Sequence, residues 1–555
     1  MRSSKSHAGH SQPQGKYAEG SGGLRLKRLL NPLPDEPLPL WMIFPVIFAA
    51  LYATHFTLLR LPYYWDEAGY YIPAAWDFFR TGSLIPISTV TNAHPPLPSI
   101  YLALWWKASG FYPEVTREAV LMVAAMALLG VWRLAMRLTN VPSVAFWTAL
   151  LTGLYPIWFA QSSLAHADIF AAACSIWGLV YALPVRRRRP IVAAAWFAAA
   201  ALSKETAIAI PLTLAILRLA EALRQHLSAR QRLLHESAWL VATVLPLAGW
   251  YVFHYAKTGF LFGNPEFLRY NAQTTMTPVR ILAAFAHRIL HLTGHMNLFV
   301  PVLVGFAALL LSPRMDAQGD ERTGVDRFAR RGIFCLLLAN AVLFSCLGGA
   351  LLTRYLLPMY PLVLLLALTA MYRRVPYWQA LGLFSAAAFI AGLFINPPYG
   401  FAPEDNLAYA RVIRMEVGGI RQLARRYPGS VVLTAWPVSD ELTRPELGYV
   451  KEPWEVCRIE DFTAAQIDLA ASEPEKYSSA LVFSTKYDPP LPFFGSKAEE
   501  ALNERYFGMH HDLSPEEIAL RLNGSLEWED AQQGMWVALI RFNRQVEAHL
   551  NPPGR

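Results

Sequence analysis

The amino-acid sequence predicts a polytopic α-helical membrane protein that carries a soluble α/β domain at its C-terminal end. The chain of 555 residues is 54% hydrophobic and only 16% charged, whereas soluble proteins usually carry about 25% charged residues. Long apolar runs fill residues 38–395 and stop at Asn396-Pro397-Pro398, where the charge density rises. These observations divide the chain into a tail (1–37), a membrane domain (38–395) and a soluble domain (396–555).

The apolar runs predict the number of membrane-spanning helices. A helix needs about 20 apolar residues to cross a bilayer. Under that criterion we expect about eleven spans. A further run at 98–108 is short and ends near Lys107, so we expect it to lie at the interface. The runs counted as spans are 38–61, 119–138, 142–160, 168–184, 190–203, 205–221, 237–255, 297–312, 332–350, 353–371 and 376–395.

Basic residues predict which face of the membrane each connection occupies. Clusters such as Arg186 to Arg189 and Arg373-Arg374 recur at every second connection, which is typical of the cytoplasmic side. We therefore expect a disordered cytoplasmic tail at 1–37 and an extracytoplasmic domain at 396–555, in a plasma membrane such as the bacterial inner membrane. The net charge of +8 is then explained by topology, and we predict no nucleic-acid partner.

The soluble domain has the pattern of a small α/β fold. Residues 405–427 show the apolar spacing of an amphipathic helix. Short apolar runs at 431–435, 480–483 and 535–542 favour strands. Ser514, followed by Pro515 and Glu517, predicts a helix start with a capping box.

Cysteine and histidine spacing argues against a protein-bound metal. The four cysteines are scattered without a disulfide or zinc pattern. His287, His291 and His295 recur at helical spacing, but the outer two would lie about 12 Å apart along a helix. We predict an interfacial amphipathic helix there and no metal site.

The stretch Tyr63 to Tyr71 contains the candidate catalytic acids. It follows the first span and places Asp66 and Glu67 among aromatic residues, which are enriched at membrane–water interfaces. An interfacial carboxylate can accept a proton from an acceptor hydroxyl. We predict Asp66 as the general base, with Glu67 as a second catalytic participant that binds substrate, a cation or backbone amides. An ordinary interfacial loop is the alternative.

Other ionisable residues fall on the same predicted outer face. Asp168, close to His166, could orient an acceptor or only complement a helix N-terminus. The pair Lys204-Glu205 could neutralise itself, or its lysine could bind phosphate. Arg354 could snorkel to the interface, although its guanidinium suits phosphate oxygens.

Together these residues resemble the GT-C glycosyltransferases, in the branch of bacterial protein mannosyltransferases and lipid A aminoarabinose transferase. The resemblance spans roughly 38–395. It is carried by the following motifs: Asp66-Glu67 with Tyr70-Tyr71, His94-Pro95-Pro96-Leu97, Asp168, Lys204-Glu205, and Arg354-Tyr355 with Pro358 and Pro361.

The resemblance implies a glycosyltransferase that moves a sugar from a polyprenyl-phosphate donor to a hydroxyl of a lipid, glycan or protein on the outer face, with inversion. Asp66 would deprotonate the acceptor, and Lys204, Arg354 and Tyr355 would bind the donor phosphate. The residues expected to orient acceptor or substrate are Tyr70, His94, His166, Asp168 and Glu205. The resemblance leaves a divalent cation, magnesium or manganese, open, and because the sequence has no dense carboxylate cluster we expect no obligatory cofactor.

Two other functions stay compatible with the sequence. A membrane transporter or lipid-linked sugar flippase would also need apolar helices, although its charged residues usually lie near the midplane within repeated halves. A non-catalytic envelope protein would depend on residues 400–555 alone. The grouping of ionisable residues at one end of the spans favours an enzyme.

Overall fold

The computed structural model describes residues 39–184, 188–489 and 497–542. The predicted tail at 1–37, with Arg186 and Arg187 of the basic clusters, lies outside this range.

The membrane domain is helical throughout. In the described residues up to 395 the chain forms seventeen α-helices. Their bounds are α1 Leu40–His55, α2 Ile72–Thr81, α3 Leu97–Ser109, α4 Pro113–Thr139, α5 Pro142–Leu154, α6 Pro156–Gln161, α7 Ala167–Ala182, α8 Pro190–Ser203, α9 Ala209–Ala222, α10 Leu227–Ala242, α11 Val244–Thr258, α12 Pro265–Leu268, α13 Pro278–Thr293, α14 Phe299–Ala308, α15 Arg327–Cys346, α16 Tyr360–Arg374 and α17 Trp378–Phe394.

Proline decides where several of these helices begin. Pro113, Pro142, Pro156, Pro190 and Pro278 each occupy the first turn of a helix, where the missing N–H costs no hydrogen bond and the fixed φ suits the helix. The apolar runs of the sequence are therefore cut into shorter helices than their lengths predict. The run at 142–160, for example, becomes α5 and α6.

The number of membrane spans stays a prediction. Among the described residues, four helical segments are long and apolar enough to cross a bilayer: Leu40–Leu58, Pro113–Thr139, Leu227–Thr258 and Arg327–Cys346. The pair Pro278–Asn297 and Phe299–Ala308, bent by 100°, would count as a fifth. Four further apolar helices are shorter, so the predicted figure of about eleven is not confirmed.

The C-terminal domain is an α/β fold built on one mixed sheet. Its helices are α18 Ala408–Arg426, α19 Val438–Thr443, α20 Ala464–Ala471, α21 Lys497–Phe507 and α22 Pro515–Arg521. Its strands are β1 Val432–Ala435, β2 Val456–Ile459, β3 Ser479–Phe483, β4 Gly524–Gln532 and β5 Met535–Phe542. The strand order is β2-β1-β3-β5-β4. Strand β1 runs parallel to β2 and β3, and β5 runs antiparallel to β3 and β4.

The apolar pattern found part of this domain and missed the rest. Helix α18, strands β1, β3 and β5, and the capping box at Ser514 are confirmed. Strands β2 and β4 were not predicted. Strand β4 carries Glu527, Glu529 and Asp530 and is only partly buried, so it lacks the apolar alternation by which strands are recognised.

The two domains pack against each other around the segment that contains Asp66. Leu58, Leu61 and Tyr64 from the membrane domain belong to the same buried cluster as Tyr409 and Leu433 of the C-terminal domain. The residues on both sides of the candidate acid are therefore held between the two domains.

Candidate functional site

A large cavity lies where the membrane domain meets the C-terminal domain. Its volume is about 3310 Å³, and it is bordered by residues of both domains. Seven of the ten predicted site residues line it: Asp66, Tyr70, His94, Lys204, Glu205, Arg354 and Tyr355. Glu67, His166 and Asp168 are not among its lining residues.

Arg354 is the centre of the charged cluster on the cavity wall. It lies in a 3-10 turn, Thr353–Leu356, shortly before α16, and its side chain is 2% exposed. One terminal nitrogen donates to Asp66 and the other to Glu404. Its Nε lies 3.3 Å from an oxygen of Asp168. Residues far apart in the chain therefore meet at one guanidinium.

Asp66 is the accessible member of this cluster. It directly precedes a π-helical turn, Glu67–Tyr71, which leads into α2. Its side chain is 36% exposed, whereas Arg354 and Asp168 are each 2% exposed. A substrate hydroxyl in the cavity can reach this carboxylate without any rearrangement of the buried groups.

Lys204 and Asp168 form a further ion pair of the cluster. The ammonium of Lys204 lies 2.6 Å from Asp168 and 4.0 Å from the centroid of the Tyr355 ring. Asp168 sits in the first turn of α7, so it complements the helix dipole as well as two cations. Asp168 therefore complements the helix N-terminus, as one of the two readings of the sequence expects, while its role toward an acceptor stays a prediction.

His94 and Glu205 face the same cavity. His94 Nδ1 lies 3.1 Å from Glu205 Oε2, and the rings of Tyr70 and Tyr71 lie 5.3 and 5.9 Å from the imidazole. Lys204 and Glu205 are thus not paired with each other, because each has a partner from another segment.

His166 is buried behind the cluster. Its Nδ1 lies 2.8 Å from the side-chain oxygen of Gln161, and its Nε2 lies 4.0 Å from Glu404. The side chain is fully buried, so it can support Glu404 but does not meet the cavity.

Glu67 has a different environment from its neighbour Asp66. It is fully buried and accepts hydrogen bonds from both terminal nitrogens of Arg117, at 2.9 and 3.1 Å. The backbone N–H groups of Tyr64 and Ala165 also donate to it. Its oxygens are thus occupied by a cation and by backbone amides, as one of the predicted alternatives expects, and it does not line the cavity. A catalytic role for Glu67 stays a prediction, and the geometry favours a positioning role.

Glu404 and Asp405 are site residues that the sequence reasoning missed. Glu404 binds Arg354, while Asp405 binds Thr353 and lies 2.9 Å from His295 Nε2. Burial raises the pKa of Glu404 to about 8, although Arg354 opposes that shift. A signal existed, since these acids follow the last apolar run directly and share the predicted outer face with Asp66.

Two arginines of α13 were also missed. Arg280 lines the cavity and donates to the backbone oxygens of Tyr506, Gly348 and Gly349. Arg288 donates to the oxygens of Phe344 and Leu352. Both are buried, each keeps one terminal nitrogen without a partner, and neither forms an ion pair with a carboxylate among the described residues. Such cations favour an anionic ligand.

The three histidines of the α13 region do not form a metal cluster. The rings of His287 and His291 lie 6.4 Å apart, and those of His291 and His295 lie 5.3 Å apart. In residues 39–184, 188–489 and 497–542, no group of three or more His, Cys, Asp or Glu side chains has the arrangement of a metal site.

Comparison with known proteins shows similarity at the level of the fold. No protein-family model matches the sequence, and no curated protein matches it. The structure is similar to ArnT from Cupriavidus metallidurans bound to undecaprenyl phosphate, with a TM-score of 0.51, 15% identity, and coverage of 90% of this chain and 97% of that chain. For ArnT in the apo state the TM-score is 0.49 at 15% identity, covering 89% and 97%. The resemblance predicted from the sequence is thereby confirmed for the fold.

Proposed function

We propose that this protein is a membrane glycosyltransferase that takes its sugar from a polyprenyl-phosphate donor and transfers it to an acceptor hydroxyl. The observation that carries the proposal is the contact of Asp66 with Arg354 on the wall of a cavity shared by two domains. An accessible carboxylate beside buried cations combines the two groups that this reaction needs, a proton acceptor and an anion site.

In the proposed reaction Asp66 takes the proton of the acceptor hydroxyl. The acceptor oxygen then forms a bond to the anomeric carbon as the bond from that carbon to the phosphate oxygen breaks. The lipid phosphate leaves with the electron pair of the broken bond, on the face opposite to the attack, so the anomeric configuration inverts. No redox partner or further group is required for the balance.

Basic groups along the cavity would stabilise the departing phosphate. Lys204 and Arg354 already face carboxylates, so they would share their charge between these acids and the phosphate. Arg280 adds a guanidinium with one terminal nitrogen that has no partner and no neighbouring carboxylate among the described residues. Tyr355 also lines the cavity, with its ring 4.0 Å from the Lys204 ammonium and 6.0 Å from the Arg354 guanidinium. Such charge–charge contacts are strongest where water is excluded.

The remaining polar groups would orient the acceptor. Tyr70, His94 and Glu205 line the cavity together, while Asp168 and His166 would act through Lys204, Arg354 and Glu404. The acceptor itself, a lipid, glycan or protein, is left open by these contacts. A divalent cation is not required by the proposal and stays open as well.

Two further observations support the proposal. A protein with a similar fold has been captured with undecaprenyl phosphate, which favours a polyprenyl phosphate as the lipid partner here. The basic connections of the sequence favour an outer-face site in the plasma membrane, with the N-terminus in the cytoplasm.

The test is a transfer assay with purified protein in nanodiscs and a panel of polyprenyl-phosphate sugars. We expect a product with a new glycosidic bond and opposite anomeric configuration, identified by mass spectrometry and NMR. Asp66→Asn should not form it, while still folding. Movement of intact donor between leaflets without a new bond would instead identify a flippase.

The predicted topology has its own test. Cysteines introduced into the connections can be labelled from each side of the membrane to show which connections face outward.

A further inference from the structure

The C-terminal domain contacts the segment that carries Asp66 through hydrogen bonds and aromatic packing. The backbone N–H of Tyr63 donates to Leu447 O at 3.3 Å, and the phenol of Tyr449 donates to Tyr63 O at 3.0 Å. The ring of Trp436 lies 5.0 Å from that of Trp65. These contacts tie the residues on the N-terminal side of Asp66 to the soluble domain.

The C-terminal domain also contacts the segment on the C-terminal side of Asp66. A Cβ atom at Gly69 would lie 2.8 Å from the ring of Trp436, so only glycine allows this close approach. The π-helical turn Glu67–Tyr71 is therefore held from its outer side by the same tryptophan that meets Trp65. The position of Asp66 depends on how firmly this surface of the C-terminal domain is packed.

Near Tyr449, the C-terminal domain contains two buried acids without ion-pair partners among the described residues. Glu416 of α18 and Glu441 of α19 are completely buried, and none of their four carboxyl oxygens has a hydrogen-bond partner among the described residues. Tyr449 is the polar side chain that acts on both. A buried carboxylate without a cation costs several kcal/mol if it is ionised, so the pair is stable only while it holds protons.

The surroundings of the pair reinforce this conclusion. Burial raises the pKa of Glu416 to about 8, and burial together with Glu416 raises the pKa of Glu441 well above its usual value. The titratable and charged groups that face the pair or its tyrosine are Tyr64, Glu67, Arg117, Asp440 and Tyr449 itself. The arginine is already neutralised by Glu67, so none of these described groups is a free cation that could stabilise the ionised acids.

We infer that Glu416, Glu441 and Tyr449 are positioning residues, which hold the Tyr63–Tyr71 segment in its reactive place while the acid pair is protonated and release it when the pair ionises. Tyr449 is the physical link, because its hydroxyl is the polar group that acts on both acids and it donates to the Tyr63 carbonyl. Charge that builds up beside the phenol weakens its bond to the backbone and loosens the approach of Asp66. Asp66 remains the group that reacts, and the acids act through it.

Hydrogen exchange of the full-length protein in nanodiscs tests this without a transfer assay. For peptides covering 63–71, the protection factor of the wild type should fall by about tenfold between about pH 7 and about pH 9, the change expected when opening is linked to loss of one proton. The double variant Glu416→Gln/Glu441→Gln removes both titrating acids but keeps their shape, so its protection should stay nearly constant. Tyr449→Phe should lower protection at every pH.

Matched controls separate this device from a general loss of stability. Glu446 lies in the connection between α19 and β2 that also contains Tyr449, but it is not part of the acid pair. Glu446→Gln should therefore give the same exchange profile as the wild type. Glu529→Gln removes another acid whose pKa burial raises, on strand β4 and outside the pair, and should leave the exchange profile unchanged. A profile of the double variant that falls like the wild type, or wild-type protection in Tyr449→Phe, would overturn the inference.

A kinetic readout rests on the proposed function. We expect Tyr449→Phe to lower kcat with little change in the KM for the donor. If no variant, including the wild type, transfers sugar, the proposed function fails while the exchange experiment still decides the positioning role.

Discussion

Two adjacent acids, Asp66 and Glu67, occupy opposite environments. Asp66 is 36% exposed and shares Arg354 with Glu404 and Asp168, whereas Glu67 is fully buried and binds Arg117 through both oxygens. Each acid forms an ion pair with an arginine, so the type of partner does not distinguish them. They differ in their access to the cavity, which Asp66 lines and Glu67 does not. An acid that water and substrate can reach is available for proton transfer, while one enclosed with its cation fixes the chain around it.

The largest effect is expected from the accessible acid. Asp66→Asn keeps the shape of the side chain but removes its ability to accept a proton, so kcat should fall by about 10²–10⁴-fold. Steady-state transfer assays would measure this, with thermal unfolding in detergent as the control for folding. A variant with wild-type kcat would remove Asp66 from the reaction.

The enclosed acid should affect stability before chemistry. Glu67→Gln leaves Arg117 buried without a counter-charge, which typically costs about 3–5 kcal/mol. We expect a lower unfolding temperature and less folded protein, with the remaining folded fraction still active. If Glu67→Gln were as stable as the wild type but inactive, Glu67 would take part in the reaction, and the assignment of a positioning role to it would be wrong.

Arg354→Lys should come next in size. Lysine keeps the positive charge but cannot make the forked contacts of a guanidinium. We expect the KM for the donor to rise by about tenfold or more, because one charge-assisted bond contributes about 1.5–3 kcal/mol. Arg117→Lys is the matched control, since it alters a buried guanidinium outside the cavity. An unchanged donor KM in Arg354→Lys would argue against the phosphate role.

The raised pKa of Glu404 predicts that donor binding depends on pH. With its pKa raised to about 8, it is neutral at lower pH and becomes a negative charge beside Arg354 at higher pH. The affinity for an anionic donor should therefore decrease as pH rises through about 8. Glu404→Gln should remove that decrease, which a donor-binding titration across this range would detect.

The same group contributes to stability with a defined sign. Its pKa of about 8 in the folded protein exceeds the ordinary value of 4.5, so the folded state holds a proton that the unfolded chain has lost between these values. Stability should therefore fall as pH rises across that window. Comparing unfolding of wild type and Glu404→Gln over this range measures the contribution.

The smallest effect is expected at Arg280. Arg280→Gln removes a cation that donates to backbone oxygens and faces no carboxylate, so the KM for the donor should rise by a factor of a few to about tenfold, as for loss of one hydrogen bond to a charged group. Arg269→Gln, which alters an exposed arginine paired with Glu266, serves as the control.

Individual residues show how far sequence reasoning reached. The grouping of Asp66, Lys204 and Arg354 on one face followed from apolar runs and basic connections, and the structure brings these residues to one cavity. Helix α18 and strand β5 followed from periodicity. Glu404 and Asp405 shared the same predicted face but were passed over, because a short polar segment after the last span looks like a linker.

The sequence by itself determined the membrane character and the set of ionisable residues available to a site, and it predicts the division at Asn396, because these depend on composition and local pattern. Only the tertiary structure decided which acid meets the cavity and which arginine it binds. Asp66 and Glu67 are neighbours in the chain, and their different environments arise from contacts with residues 50 to 288 positions away. Ion pairing and burial depend on such distant contacts, and no local pattern encodes them.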